Sequence, residues 1–225
     1  MLNSLLVLSH YKVNQVFLIF ASMAKEIAPV EKHPLEPFLP EGARILVLGS
    51  FPPARRRWSM DFFYPNWIND MWRIWGLIFH DDKEYFVAEE GGKKVRRFDR
   101  ERCAGFATEK GIAMYDTACE IRRLKDNASD KFLEVTKATD IAALLSKIPK
   151  CKAIVTTGQK ATDVIVETFG CGEPAVGGYS EVNIAGRNMR LWRMPSSSRA
   201  YPLALEKKAE FYRRMFEYED MIRQT

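Results

Sequence analysis

The sequence predicts an α/β fold of three layers, α/β/α, built on a central four-stranded parallel sheet. Three observations carry this. Four short apolar runs each end in a loop signal, and amphipathic helical patterns lie between them. The 225 residues, 47% hydrophobic and 28% charged, suffice for one buried core but are too few to favour two ordinary domains. Strands alternating with helices imply a parallel sheet covered on both faces, and ligands in such sheets sit at the carboxyl ends of the strands.

Taken in order, residues 1–40 are expected to be an N-terminal extension and 41–225 a single domain. The runs Leu5–Leu8 and Val16–Phe20 are split by His10-Tyr11-Lys12-Val13-Asn14-Gln15, too polar an interval for a membrane span and unlike a signal peptide. We read Met23 as the natural start and Lys25–Pro40 as a Pro-rich lead-in. The first strand is Arg44–Gly49, bounded by Pro40-Glu41-Gly42. The spacing of Ile68, Met71, Trp72, Trp75 and Phe79 predicts a helix over Trp67–Phe79. The polar stretch His80–Asp99, with Gly91-Gly92, reads as an insertion or a β-excursion. Gly111–Asp116 is the second strand, Asp140–Lys147 a helix, Lys152–Gly158 the third strand and Gln159–Phe169 another helix. Glu173–Asn188 has room for a hairpin around Gly177-Gly178 or Ala185-Gly186. Met189–Pro195 is the fourth strand, and Leu203–Ile222 an amphipathic, charge-laced helix.

The balance of 34 Lys plus Arg against 29 Asp plus Glu gives +5. That leans toward a polyanionic partner without requiring one. The basic residues cluster at Arg55-Arg56-Arg57, Arg96-Arg97 and Arg122-Arg123. Four cysteines (Cys103, Cys119, Cys151, Cys171) occur without a paired Cys-x-x-Cys, so no zinc or iron–sulfur ligand set is expected, nor any other cofactor. A reduced, cytoplasmic protein is the expectation. The three histidines, His10, His33 and His80, are scattered along the chain, which argues against His-based metal sites and most nucleophile–His schemes.

Two loops at predicted strand ends carry the chemistry. In Gly49-Ser50-Phe51-Pro52-Pro53 the glycine allows close backbone approach, Phe51 offers a flat face and the prolines stiffen the exit, which suits a planar base. An ordinary turn with Phe51 in the core fits the same residues. Pro195-Ser196-Ser197-Ser198-Arg199-Ala200-Tyr201-Pro202 pins small hydroxyl residues between prolines, able to grip phosphates while Arg199 or Tyr201 pushes toward a base stack. A Ser-rich linker capping the last helix is the competing reading. No Gly-x-x-x-x-Gly-Lys-Ser/Thr and no Gly-x-Gly-x-x-Gly follows any strand, which argues against an enzyme of free nucleotides.

In this order, the strand-ending Gly-Ser-Phe-Pro turn, the aromatic segment Phe62-Phe63-Tyr64-Pro65-Asn66-Trp67-Ile68-Asn69-Asp70-Met71-Trp72 and the late Pro-Ser-Ser-Ser loop resemble the uracil-DNA glycosylase superfamily. The pattern is most similar to its hypoxanthine (deoxyinosine) DNA glycosylase branch. Met114-Tyr115-Asp116-Thr117 resembles that branch's Trp-Asp-Val strand end, and Gly158-Gln159-Lys160-Ala161 its Gly-x-x-Ala helix start. The resemblance spans residues 43–218. Two departures stand out: Ala138-Thr139-Asp140 where Asn-Asp is usual, and Arg199-Ala200-Tyr201 where Pro-Ala-Asn is usual.

The resemblance implies a monofunctional DNA glycosylase that flips a deaminated base, hypoxanthine or uracil, out of double-stranded DNA and hydrolyses its glycosidic bond in base excision repair. It implies a monomer, nucleoid-associated when bound to DNA. Asn69, on the helix after the first loop, would position the water or contact the base, and Asp116 would accept from a ring N–H of a keto base. Gly49, Ser50, Phe51, Pro52 and Tyr64 would bind the base. Arg55, Arg56, Arg57, Gly158, Lys160, Pro195, Ser196, Ser197, Ser198, Arg199 and Tyr201 would hold the DNA. A surface Asn69 and a turn-capping Asp116 are the plain structural alternatives. Because Thr139 lacks the amide expected there, a catalytically silent nucleic-acid-binding relative is the alternative function.

Overall fold

The computed structural model describes residues 28–124 and 132–223, so the reading of residues 1–22 and of Met23 lies outside the described residues. The chain runs through β1 (Val30–Lys32), β2 (Ile45–Gly49), α1 (Met71–His80), β3 (Val87–Glu90), β4 (Lys93–Phe98), α2 (Arg100–Lys110), β5 (Ile112–Asp116), β6 (Ala118–Arg123) and β7 (Leu133–Ala138). It continues through α3 (Ile141–Lys147), β8 (Ala153–Thr157), α4 (Gln159–Phe169), β9 (Tyr179–Ile184), β10 (Arg187–Met194) and α5 (Leu205–Tyr218).

The four predicted strands form a parallel array in the order β5-β2-β8-β10. Every residue of β2, β5 and β8 is buried, which is why these strands read as continuous apolar runs rather than as alternating ones. The sheet is not purely parallel or four-stranded, however. β9 joins it as a fifth, antiparallel strand beside β10. Ala185 and Gly186 both take positive φ, 51° and 81°, in the two-residue turn whose twist matches the flanking strands.

The helix read from Trp67 starts instead at Met71. The side-chain oxygen of Asn69 accepts from Met71 N–H at 2.9 Å, and Asp70 N–H donates to the carbonyl of Ser197 at 2.8 Å. Asn69 therefore precedes the helix, whose N-cap is Asp70, and is not a residue on it. The 80–99 excursion is the β3–β4 hairpin turning at Gly91-Gly92. α2 was not anticipated: its charges alternate without a strong apolar face, yet Asp99 caps its start and Gly111, at φ 67°, closes its end.

A second, antiparallel sheet in the order β1-β6-β7 was likewise unpredicted. Residues from Val30 on, set apart in the sequence as part of an extension, are built into the structure. β1 pairs with β6, and Phe38 exchanges both backbone hydrogen bonds with Met114, covering the outer edge of β5. β5 runs directly into β6 through Thr117, so the second sheet springs from the carboxyl end of the first, over a small core of Phe51, Ala118, Ile121 and Leu133.

Candidate functional site

The carboxyl ends of β2, β5 and β8 place Gly49, Asp116 and Thr157 side by side. With the loops after β2 and β10 they line a cavity of about 660 Å³. Of the predicted residues, Gly49, Phe51, Pro52, Arg57, Tyr64, Asn69, Asp116, Ser196, Ser197, Ser198 and Tyr201 line it. Ser50, Arg55, Arg56, Gly158, Lys160, Pro195 and Arg199 do not.

Asp116 lies at the centre. Its Oδ1 occupies the space above Gly49, where a Cβ would collide with it. Its Oδ2 is 2.9 Å from Nε2 of His33, a histidine that stands alone in the sequence with no signal of this contact. The two side chains are 11% and 2% exposed. Thr139, at the position where the resemblance wanted an amide, donates its hydroxyl to the Asp116 carbonyl at 2.7 Å and does not line the cavity. It braces the main chain that carries the carboxylate.

Tyr64 holds a left-handed backbone conformation, φ 51°, uncommon for an aromatic residue. Its hydroxyl is 3.3 Å from Thr157 Oγ1. Burial first, then the neighbouring Asp116 charge, hold its pKa well above the ordinary phenol range. The phenol is therefore neutral at every physiological pH. Phe51 is buried in the small second core and also lines the cavity.

The serine loop is built by what lies beneath it. Lys208 on α5, fully buried, donates to Asp70 Oδ2 at 3.0 Å and to the Ser198 carbonyl at 2.7 Å. Tyr212 on the same helix donates to the Pro195 carbonyl at 3.0 Å. Ser196 Oγ accepts from Ser198 N–H and Ser198 Oγ from Ala200 N–H, so each hydroxyl shapes the loop through a lone pair while retaining an O–H to donate outward. Gly158, at φ 102°, is the N-cap of α4 and packs against Ser196. Arg199 is committed to Asp70 at 2.9 Å, although its side chain remains 46% exposed. Arg55 pairs with Asp61 and lies over Trp58. Lys160 stays half-buried on the first turn of α4.

On the opposite wall Arg123 makes a bidentate pair with Glu31, both contacts 3.0 Å, and donates to the Pro52 carbonyl at 3.1 Å. The second sheet is thereby tethered to the first loop. Among the described residues no three His, Cys, Asp or Glu side chains converge as a metal site, and no helix is long and apolar enough to cross a membrane.

The mixed sheet thus carries its pocket at the carboxyl ends of its parallel strands, between a Gly-Ser-Phe-Pro turn and a serine loop. The solution NMR structure of a protein from Methanosarcina acetivorans, described as a "putative Uracil DNA glycosylase", matches the fold with a TM-score of 0.55 at 19% identity over 85% of this chain and 99% of that one. The likeness shows a shared fold. No protein-family model and no curated protein matches the sequence.

Proposed function

We propose that this protein is a monofunctional DNA glycosylase that takes a deaminated base out of double-stranded DNA and hydrolyses its N-glycosidic bond. The observation that carries this reading is the convergence of Asp116, Tyr64 and Asn69 on one cavity at the strand ends. Its size falls within the range typical of small-ligand sites. The description of the M. acetivorans protein supports the same reaction class.

In the reaction the C1′–N bond breaks with its electron pair going to the base, and the oxygen of a water bonds to C1′ and gives up a proton. An anion beside the departing base would raise the barrier, whereas beside the sugar it stabilises the positive charge that develops there. Asp116 therefore serves the sugar side, orienting the water and taking its proton, rather than reading the base as the sequence suggested. The Tyr64 hydroxyl and the amide hydrogens of Asn69, whose oxygen is spent on Met71, are the donors for the leaving base. Exposed donors of the serine loop grip the flanking phosphates. Extrusion costs least for a mispaired base, which favours hypoxanthine and uracil as substrates.

The test is base release from duplexes bearing hypoxanthine, uracil or xanthine, under single turnover. Release of at least one is expected, with Asp116→Ala and Asn69→Ala each slowing it by about 100-fold or more. Salt-dependent DNA binding without release of any base would establish instead the silent relative, a reading favoured by Thr139 standing where an amide was expected.

A further inference from the structure

We infer that His33 is a positioning residue for Asp116, supplied by the segment that precedes the central sheet. The inference rests on the glycosylase reading and deepens it. His33 Nε2 meets Asp116 Oδ2 at 2.9 Å. Its other ring nitrogen faces Leu35, whose N–H lies 3.2 Å and whose carbonyl lies 2.8 Å away. With Leu35 engaging Nδ1, Nε2 is directed at the carboxylate.

The ring is packed on several sides. Phe51 meets it edge-on at 5.3 Å, Tyr115 at 4.4 Å, and Phe63 is stacked at 6.3 Å. An apolar ring would fill this space equally well, so what histidine adds is the polar contact. An ionised carboxylate can only accept, so the contact is a restraint when Nε2 carries the hydrogen; the other oxygen lies over Gly49, and Thr139 braces the main chain. A group that orients water is useful only while its oxygens stay put, and a misplacement near 1 Å costs on the order of 100-fold in rate. His33 supplies that restraint from a β1–loop segment some eighty residues away in sequence.

The experiment compares the wild type with His33→Phe, His33→Gln, Asp116→Asn and the His33→Phe/Asp116→Asn pair. It measures single-turnover release of whichever base the wild type excises, with DNA affinity and thermal unfolding in parallel. His33→Phe keeps an aromatic ring but removes the donor. It is expected to slow release about 100-fold with DNA affinity within about twofold of wild type. His33→Gln, which restores an N–H, is expected to recover most of the rate. Combined with Asp116→Asn, the His33→Phe change is expected to cost nothing more, because it acts only through that carboxylate. A wild-type rate in His33→Phe, no recovery in a folded His33→Gln, or losses that multiply in the pair would overturn the inference and leave the function standing. A wild type that releases no base overturns the function and the inference together.

Discussion

Gly49 ends β2 without a side chain because a carboxylate needs the room. In the sequence, a glycine at this strand end suits the close approach of a base to the backbone. In the structure the crowding atom is Asp116 Oδ1, while the glycine's own backbone is unstrained. Gly49→Ala should therefore displace the carboxylate from His33 while leaving the strand's hydrogen bonds intact. We expect base release to fall about 100-fold, with a stability loss of about 1 kcal/mol. Single-turnover kinetics and urea unfolding check this, and an undiminished rate in a folded variant would show that the position of Asp116 does not limit the reaction. The residues of the site differ in how readable they were. Gly49, Asp116 and the serines stand at strand ends, where the apolar runs point directly at them. His33 has no such signal: β1 is three residues long, and its partner β6 lies far along the chain.

At the scale of elements, what was legible is what local periodicity encodes. β2, β5, β8 and β10 are apolar runs closed by Gly, Asp or Pro, and α3 and α4 follow their predicted bounds to within a residue. What was not legible depends on long-range pairing. β6 and β7 carry Glu120, Arg122, Glu134 and Lys137 on half-open strands, with no continuous apolar run to announce them. α5 shows the same limit in a helix. Its amphipathic pattern was clear, yet Lys208 reads as a solvated charge and is instead wholly buried against Asp70 and the Ser198 carbonyl. Removing one partner of a buried pair leaves the other charge uncompensated. Lys208→Met should accordingly cost about 3 kcal/mol, somewhat softened because Arg199 still faces Asp70. It should also loosen the serine loop, so that DNA affinity falls along with the urea midpoint. A midpoint unchanged from wild type would show that α5 does not anchor the loop.

Over the whole molecule, the site depends on chain segments that only the complete fold brings together: the lead-in with His33, three strand ends, and a loop stapled by the last helix. The same closure buries groups that ionise only in alkali. Burial is the leading cause in each case. It raises the pKa values of Tyr64, Tyr212 and Cys103 above their ordinary values, and brings those of Tyr115 and Cys151 up to about 12. Unfolded, these groups release their protons near the ordinary values of 10.0 for tyrosine and 9.0 for cysteine. With folded pKa values above unfolded ones, their contribution to stability is complete below pH 9 and is lost as the pH rises through the interval between the two. Stability changes with pH by about 1.4 kcal/mol per unit for each proton bound in one state and not the other. We therefore expect the urea midpoint to hold from pH 7 to about pH 9 and then to fall ever more steeply toward pH 12. The same burial should keep Cys103 and Cys151 from reacting with a thiol reagent at pH 8 until the protein unfolds. A midpoint that stays level through pH 11, or thiols at these two positions that react in the native protein, would mean that water reaches the groups packed behind the sheet and beside the pocket.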